Sequence, residues 1–486
     1  MKNPVQYLLF RAKATPNFIA IQTIDRSYTF IELALIVKMC AGKLRSLGIR
    51  PKQLVINSFL DSFFDLILTL SVFYEACISC SNHGYSPIDQ DLECDWILTD
   101  NPARKSEHQK NQIFIDESWI NDAIQQNKIN NPNFYDSQSI CRLVLTSGTT
   151  GKSKAAAFSY DVLDARVKQA FGYWMTPGRE LNLMTIPSVG GIISSLSTLF
   201  SGCPIYIAGP YNKVQLIAKF NINSLIGSPI QLRDLLDTSN QLNIALDSIE
   251  VVRVAGGALS PALLEKIRKQ LGAKVLNIYG STEVGGVTMS ELTHDQAIQS
   301  AAGYPLPLAE VQIVNDRYEI LPPGKEGLIR VRSDAMAHSY YKNLAATEKF
   351  FKNGWFYSGD QGFLNEAGCL VLSGRDSELI NRGGSKIDPA LIDQFLLDLP
   401  GIEDAAVFGL SHNGEIEDIG AALVVSTNFD LKTLRAELWK KFGVSNSPAI
   451  FFTVAQIPRN PMGKVMRAKM AAELTEFYKL QQNSKS

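Results

Sequence analysis

RLVLTSGTTGKSK, residues 142–154, sets a short apolar strand directly against a loop of hydroxyls, glycines and lysines. Arg142 to Ser147 reads as a strand because a brief apolar run is closed by turn-forming residues. The same order recurs downstream. EVVRVAGGALSP (250–261) is a strand, a glycine turn and a helix start, with Ser260 as N-cap and Pro261 in the first turn. Leu263, Leu264, Ile267 and Leu271 carry that helix's apolar face onward. KVLNIYGSTE (274–283) is again a strand feeding a polar loop. Strands alternating with loops and helices are the pattern of α/β layers. Three polar loops at strand ends are what a ligand site at the carboxyl edge of a sheet needs.

Further along, the pattern changes. From about 301 to 372, short strands alternate with Gly/Pro turns, as in LPPGKEGLIRVRS (321–333), and predict a small β-rich unit. Beyond it, DAAVFGL (404–410) and GAALVVS (420–426) read as strands around a polar loop. Leu431, Leu434, Leu438 and Phe442 then form one helical stripe, with Asp430 placed to cap it. The expected architecture is α/β. A large N-terminal domain of layered α/β subdomains, residues 1–375, includes the β-rich unit, and a small α+β domain follows over 376–486.

Composition narrows the function. The chain has 486 residues, 47 Lys+Arg against 48 Asp+Glu, and 45% hydrophobic residues, so it is globular and has no global charge that calls for nucleic acid or an anionic membrane. Segment 62–80 (SFFDLILTLSVFYEACISC) is greasy, but Asp65 and Glu75 bracket only nine uncharged residues, which predicts a buried helix rather than a membrane span. The apolar run near the start, Tyr7 to Phe10, is too short for a secretory signal, and a cytoplasmic location is expected. Cys77 and Cys80 form a lone CxxC with no second pair to complete a metal site, and they read as core residues. His83, His108, His294, His338 and His412 show neither HxxxH nor HxxH spacing, and no GxSxG occurs. Metal-hydrolase and two-histidine mechanisms therefore lose most of their support, and the pattern argues against an α/β-hydrolase.

The loop Thr146–Lys154 can wrap polyphosphate. Glycines let backbone N–H groups approach, hydroxyls donate to oxygens, and lysine adds positive charge. It is not a Walker A loop, because the required first glycine falls at Thr146.

With four further motifs, this loop resembles the adenylate-forming superfamily, of the acyl-CoA synthetase type. Tyr279-Gly280-Ser281-Thr282-Glu283 is similar to the YGxTE motif, and Tyr357-Ser358-Gly359-Asp360 to YxTGD with Ser for Thr. Gly374-Arg375 with INRGGSKIDP (380–389) resembles the hinge segment, and Pro458 to Lys464 the C-terminal PRxxxGK motif. The five stand in the family's order across about residues 10–470.

The resemblance implies activation of a carboxylic acid by ATP to an acyl-adenylate, then transfer to the thiol of CoA or of a carrier protein's phosphopantetheine. It implies that Lys464, Glu283 and Thr282 are catalytic, with Glu283 and Thr149 holding Mg²⁺. Nucleotide contacts would come from Thr146, Ser147, Gly148, Thr149, Thr150, Gly151, Lys154, Gly256, Gly257, Ala258, Tyr279, Gly280, Ser281, Thr282, Asp360 and Arg375. The C-terminal domain would be mobile, hinged at Ser377, with Gly383 and Gly384 facing the thiol tunnel. Ser188, Gly190, Gly191, Gly285 and Gly286 are small residues that would leave room for an aryl or medium-length aliphatic acid.

Three positions depart from the family. Ser377 stands where Asp or Lys is usual at the hinge, and Tyr160 where a His is common six residues past the loop lysine. TIPSVGG (185–191) replaces the PLxxH stretch and holds no Asp to meet an α-ammonium, which argues against an amino-acid substrate. Alternative readings are a stand-alone enzyme that loads an acyl carrier protein, or a nucleotide-binding regulator without turnover.

Overall fold

The computed structural model describes residues 3–83, 92–103, 111–133, 136–146, 154–173, 178–209, 212–293, 301–375, 380–382, 385–411, 417–426, 430–459 and 465–483. Two large sheets form the N-terminal part. In a seven-stranded sheet, Leu54–Phe59 lies between Ile78–His83 and Trp96–Thr99, all parallel, with Gln112–Phe114 at one edge. Ile140–Thr146 pairs in parallel with Ile78–His83, then turns back antiparallel as Lys154–Ser159. Such a parallel core needs helices on its faces. The helices Phe30–Ser46 and Ser62–Tyr74 supply one apolar layer, burying Phe30, Leu33, Val37, Leu66, Leu70 and Phe73.

An eleven-stranded sheet holds the second core. Glu180–Asn182, Ser224–Gly227, Val251–Ala255 and Lys274–Ser281 run parallel in that order. Gly285–Glu291 then folds back antiparallel on Lys274–Ser281. The strands of the β-rich stretch are not free-standing. Ala301–Pro305 pairs with Gly285–Glu291 and passes the sheet on to Leu370–Arg375, Trp355–Leu364, Gly327–Ser333 and Ala309–Val314. Val284 and Val287 pack in one cluster with Ile313, Ile329, Val331, Phe356 and Leu370, which is why the two regions fuse.

The helix starts follow local chemistry. Ser260 caps Pro261–Leu271 by accepting from the Leu263 N–H at 3.2 Å, and Asp430 caps Leu431–Phe442 through the Lys432 and Thr433 N–H groups. C-terminal strands Ile402–Ser411 and Glu417–Val425 are antiparallel, with Ile450–Thr453 parallel to the latter. They carry their own apolar cluster around Leu396, Val407, Ile419, Leu434 and Leu438.

Segment 62–80 corrects the sequence reading. It is not one helix: Ser62–Tyr74 is helical, Ala76 turns with φ +53°, and Ile78–His83 is a central strand. A run that is apolar at every position has no period to separate a buried helix from a buried strand. Cys77 and Cys80 are both buried, as the core reading expects. No described helix is long and apolar enough to cross a membrane.

Candidate active site at the strand ends

Thr146 and Lys154 face each other as the last registered pair of their hairpin. The loop they close, with Ser147, Gly148, Thr149, Thr150 and Gly151, lies outside the described residues. Lys154 Nζ sits 4.1 Å from the ring centre of Phe350 and 5.5 Å from that of Tyr340. Tyr340 belongs to the short strand Ser339–Tyr340, paired on Lys154–Ser159.

The turn after Lys274–Ser281 presents Thr282 and Glu283. Two glycines make that turn possible. A Cβ at Gly280 would come within 2.0 Å of the Gly285 carbonyl oxygen, and Gly285 itself has φ +77°. The pairing shifts register between Tyr279 and Gly280, so the following residues bulge from the hairpin. Arg166, fully buried on the helix Tyr160–Tyr173, then pins the turn. It donates to the carbonyls of Ala335 (2.7 Å), Thr282 (2.8 Å) and Glu283 (2.8 Å), and its guanidinium lies 4.0 Å from the Phe158 ring centre. Burial pushes the Arg166 guanidinium down to about 9, partly opposed by the charge of Glu283, so it stays protonated at neutral pH.

Glu283 is itself buried, and its Oε1 accepts from the Tyr340 hydroxyl at 2.7 Å. Among the described residues its second oxygen makes no hydrogen bond. No cluster of three His, Cys, Asp or Glu side chains able to cage a metal occurs among the described residues. One carboxylate with an uncommitted oxygen suits Mg²⁺, which keeps its waters and binds through one or two carboxylates plus substrate phosphates.

The neighbouring strand ends add two elements. Val251–Ala255 is in parallel register with Lys274–Ser281, so the exposed turn Gly256-Gly257-Ala258 flanks Ile278 and Tyr279. Gly256 has φ +85°, a conformation that favours glycine. Across the sheet, the Tyr279 hydroxyl donates to Asp360 Oδ2 at 2.6 Å. Ser358 Oγ accepts from the Asp360 N–H at 3.1 Å, so a hydroxyl, whether Ser or Thr, shapes this turn. Asp360 lies opposite Arg375 in the ladder, and the Arg375 side chain is outside the described residues. Ser377, Gly383, Gly384 and Lys464 are also outside them. The ends of the Lys464 loop are held together: Arg459 bridges to Val465 and pairs with both oxygens of Asp404, at 3.1 and 2.6 Å.

The small residues of the 185–191 stretch have local partners. Ser188 Oγ accepts from the Gly191 N–H (2.9 Å) and donates to the Thr185 carbonyl (2.7 Å), capping the helix Val189–Ser201. A Cβ at Gly190 would meet Met184 Sδ at 2.2 Å, and one at Gly191 the Thr185 carbonyl oxygen at 1.9 Å. Backbone packing demands glycine at Gly191, whereas at Gly190 the neighbour is the end of a flexible side chain. At Gly286 the carbonyl accepts from buried Gln169 Nε2 at 3.1 Å, while Gln169 Oε1 has no partner among the described residues. Arg166, Gln169 and Tyr340 are site residues that motif reading does not find. An arginine or glutamine on a helix reads as solvent-facing until long-range packing buries it.

Comparison with known proteins identifies the family and the fold. The sequence model described as AMP-binding enzyme matches residues 78–341, more than half of the 486-residue chain. The chain is 26% identical over 489 residues to 2-succinylbenzoate–CoA ligase of Bacillus subtilis, covering 96% of this chain and 97% of that protein. It is 28% identical over 359 residues to oxalate–CoA ligase of Saccharomyces cerevisiae, a match that takes in 72% of this chain but only 66% of that relative's length. The solved structure of the Bacillus subtilis o-succinylbenzoate CoA synthetase with its acyl-adenylate intermediate superposes with a TM-score of 0.84 at 23% identity, over 97% of this chain and 98% of that one. It has the same fold.

Proposed function

The chain belongs to the AMP-binding enzyme family, and from that premise we propose that it joins a carboxylic acid to the thiol of CoA in two steps. In the first, a carboxylate oxygen attacks the α-phosphorus of ATP; the bond to the β-phosphate oxygen breaks, giving an acyl-adenylate and pyrophosphate. In the second, the thiol sulfur attacks the acyl carbon, AMP leaves, and the thiol proton passes to solvent.

The protein's task is to hold developing negative charge and exclude competing water. Glu283, one oxygen tied and the other uncommitted, carries this reading. Bound Mg²⁺ would neutralise phosphate charge between that carboxylate and the nucleotide. Asp360, oriented by Tyr279, would accept from the ribose hydroxyls, and the Tyr279 ring with Gly256–Ala258 would border the base. Lys464 would bring a cation to the carboxylate and α-phosphate and then withdraw with the C-terminal domain. Domain limits of 1–375 and 376–486 fit the separate apolar cluster that begins at Ile380.

The acid we propose is aryl or medium-length aliphatic. The 2-succinylbenzoate ligase, alike over nearly its whole length, supports an aryl acid. ATP and CoA are cytoplasmic metabolites, and the cytoplasm is the proposed compartment. The test is thioester formation from a panel of aryl and aliphatic acids, with CoA set against acyl carrier proteins. Acid-dependent acyl-CoA supports the proposal; transfer to a carrier protein alone would replace CoA as the acceptor.

A further inference from the structure

We propose that Tyr340 is a positioning residue that sets the Glu283 carboxylate and the Lys154 ammonium from one side chain, so that Mg²⁺ and triphosphate meet charges already arranged; this rests on the metal role given above to Glu283. The hydroxyl of Tyr340 donates to Glu283 Oε1 at 2.7 Å, and Lys154 Nζ lies 5.5 Å from its ring centre and 4.1 Å from that of Phe350, which packs against Tyr340.

The ring is held on several sides. Phe350 and Phe351 pack edge-on at 6.1 and 5.5 Å, the Tyr340 N–H donates to Thr347 Oγ1 at 3.0 Å, and Tyr340 pairs in register with Ala156. Tyr340 is only 4% exposed, so its hydroxyl has few alternative positions. The Glu283 main chain is fixed separately, by Arg166 and by the Ala337 N–H at 2.7 Å.

The choice of partner has a physical reason. An arginine or lysine on the carboxylate would orient it but also cancel the charge that a cation needs. A neutral phenol orients one oxygen and leaves the negative charge in place. The cation of Arg166 is directed to backbone carbonyls instead. An ammonium near the ring is drawn to its π face and strengthens the phenol as a donor. Lys154 begins the strand on which Ser339–Tyr340 pairs, so the residue that orders Glu283 is registered on the same strand as the ammonium.

The test uses Y340F and E283Q in the full chain, with Mn²⁺ as a spectroscopic stand-in for Mg²⁺. Mn²⁺ binding to the ATP-loaded protein is read by electron paramagnetic resonance, beside the thermal midpoint and the Mg²⁺ dependence of adenylation. The expected result is that Y340F melts cooperatively, binds Mn²⁺ about tenfold more weakly and recovers adenylation at raised Mg²⁺, the scale for losing one hydrogen bond to an ion. E283Q is expected to lose protein-held Mn²⁺. Wild-type Mn²⁺ affinity in Y340F beside loss in E283Q overturns the Tyr340 inference alone. Wild-type affinity in both overturns it together with the metal role of Glu283. Should Y340F melt without cooperativity, Tyr340→4-aminophenylalanine keeps the shape with a weaker donor; intermediate affinity supports the inference and unchanged affinity overturns it.

Discussion

Arg166 satisfies a buried guanidinium on three carbonyls, and Asp65 faces the opposite problem. Its carboxylate is fully buried in the helix Ser62–Tyr74, accepting from Ser81 Oγ (2.8 Å) and Thr69 Oγ1 (3.2 Å). Ser81 also accepts from Arg142, whose other donors reach Ser79 and the carbonyl of Ile186. Arg142 thereby ties the strand Ile140–Thr146 to the 185–191 stretch. Burial pushes Asp65 up to about 6, against the charge of Arg142 and its hydrogen bonds. The folded state therefore keeps this proton at a pH where the unfolded chain has lost it. Stability contributed at Asp65 falls as pH rises from about 4 to about 6. D65N cannot titrate there. Urea midpoints at pH 4, 5, 6 and 7 should show wild type losing ground to D65N across that window; a constant gap would contradict the burial argument. None of this was legible in the sequence, where Asp65 serves only to interrupt an apolar run.

At the level of elements, caps and glycine turns were legible because they are local. Ser260, Pro261 and Asp430 act where the residue pattern places them. The split of segment 62–80 was not legible, since only sheet pairing with Leu54–Phe59 selects a strand for Ile78–His83. The fusion of the β-rich strands to the second sheet is likewise a non-local pairing, Thr288 with Pro305. Ser188 illustrates a residue whose type fitted two roles. Its hydroxyl is fully used as a cap. S188A should lose about 1 kcal/mol of stability while the KM for the acid stays within twofold of wild type. A KM shift without loss of stability would place Ser188 in contact with substrate instead.

For the whole molecule, the five motifs gave the order of the functional loops, and folding brings the described ones to neighbouring strand ends. Ser260 Oγ donates to Asp398 Oδ1 at 3.0 Å, docking the end of the helix Pro389–Leu397 against the helix that follows the Gly256 turn. A docked but separately packed C-terminal unit suits the proposed swing of Lys464. K464A should lower adenylation by about 10²–10³-fold, the scale for removing one preorganised donor, while transfer from supplied acyl-adenylate to the thiol changes far less. Equal losses in both half-reactions would argue that Lys464 serves folding or docking rather than the first step.

Everything proposed for this site depends on its activating a carboxylate on ATP. The most direct measurement is exchange of labelled pyrophosphate into ATP, run over a panel of aryl and aliphatic acids with the full chain. Exchange is expected to require both the acid and Mg²⁺ and to fall sharply in K464A. ATP binding with no exchange for any acid would contradict that activation.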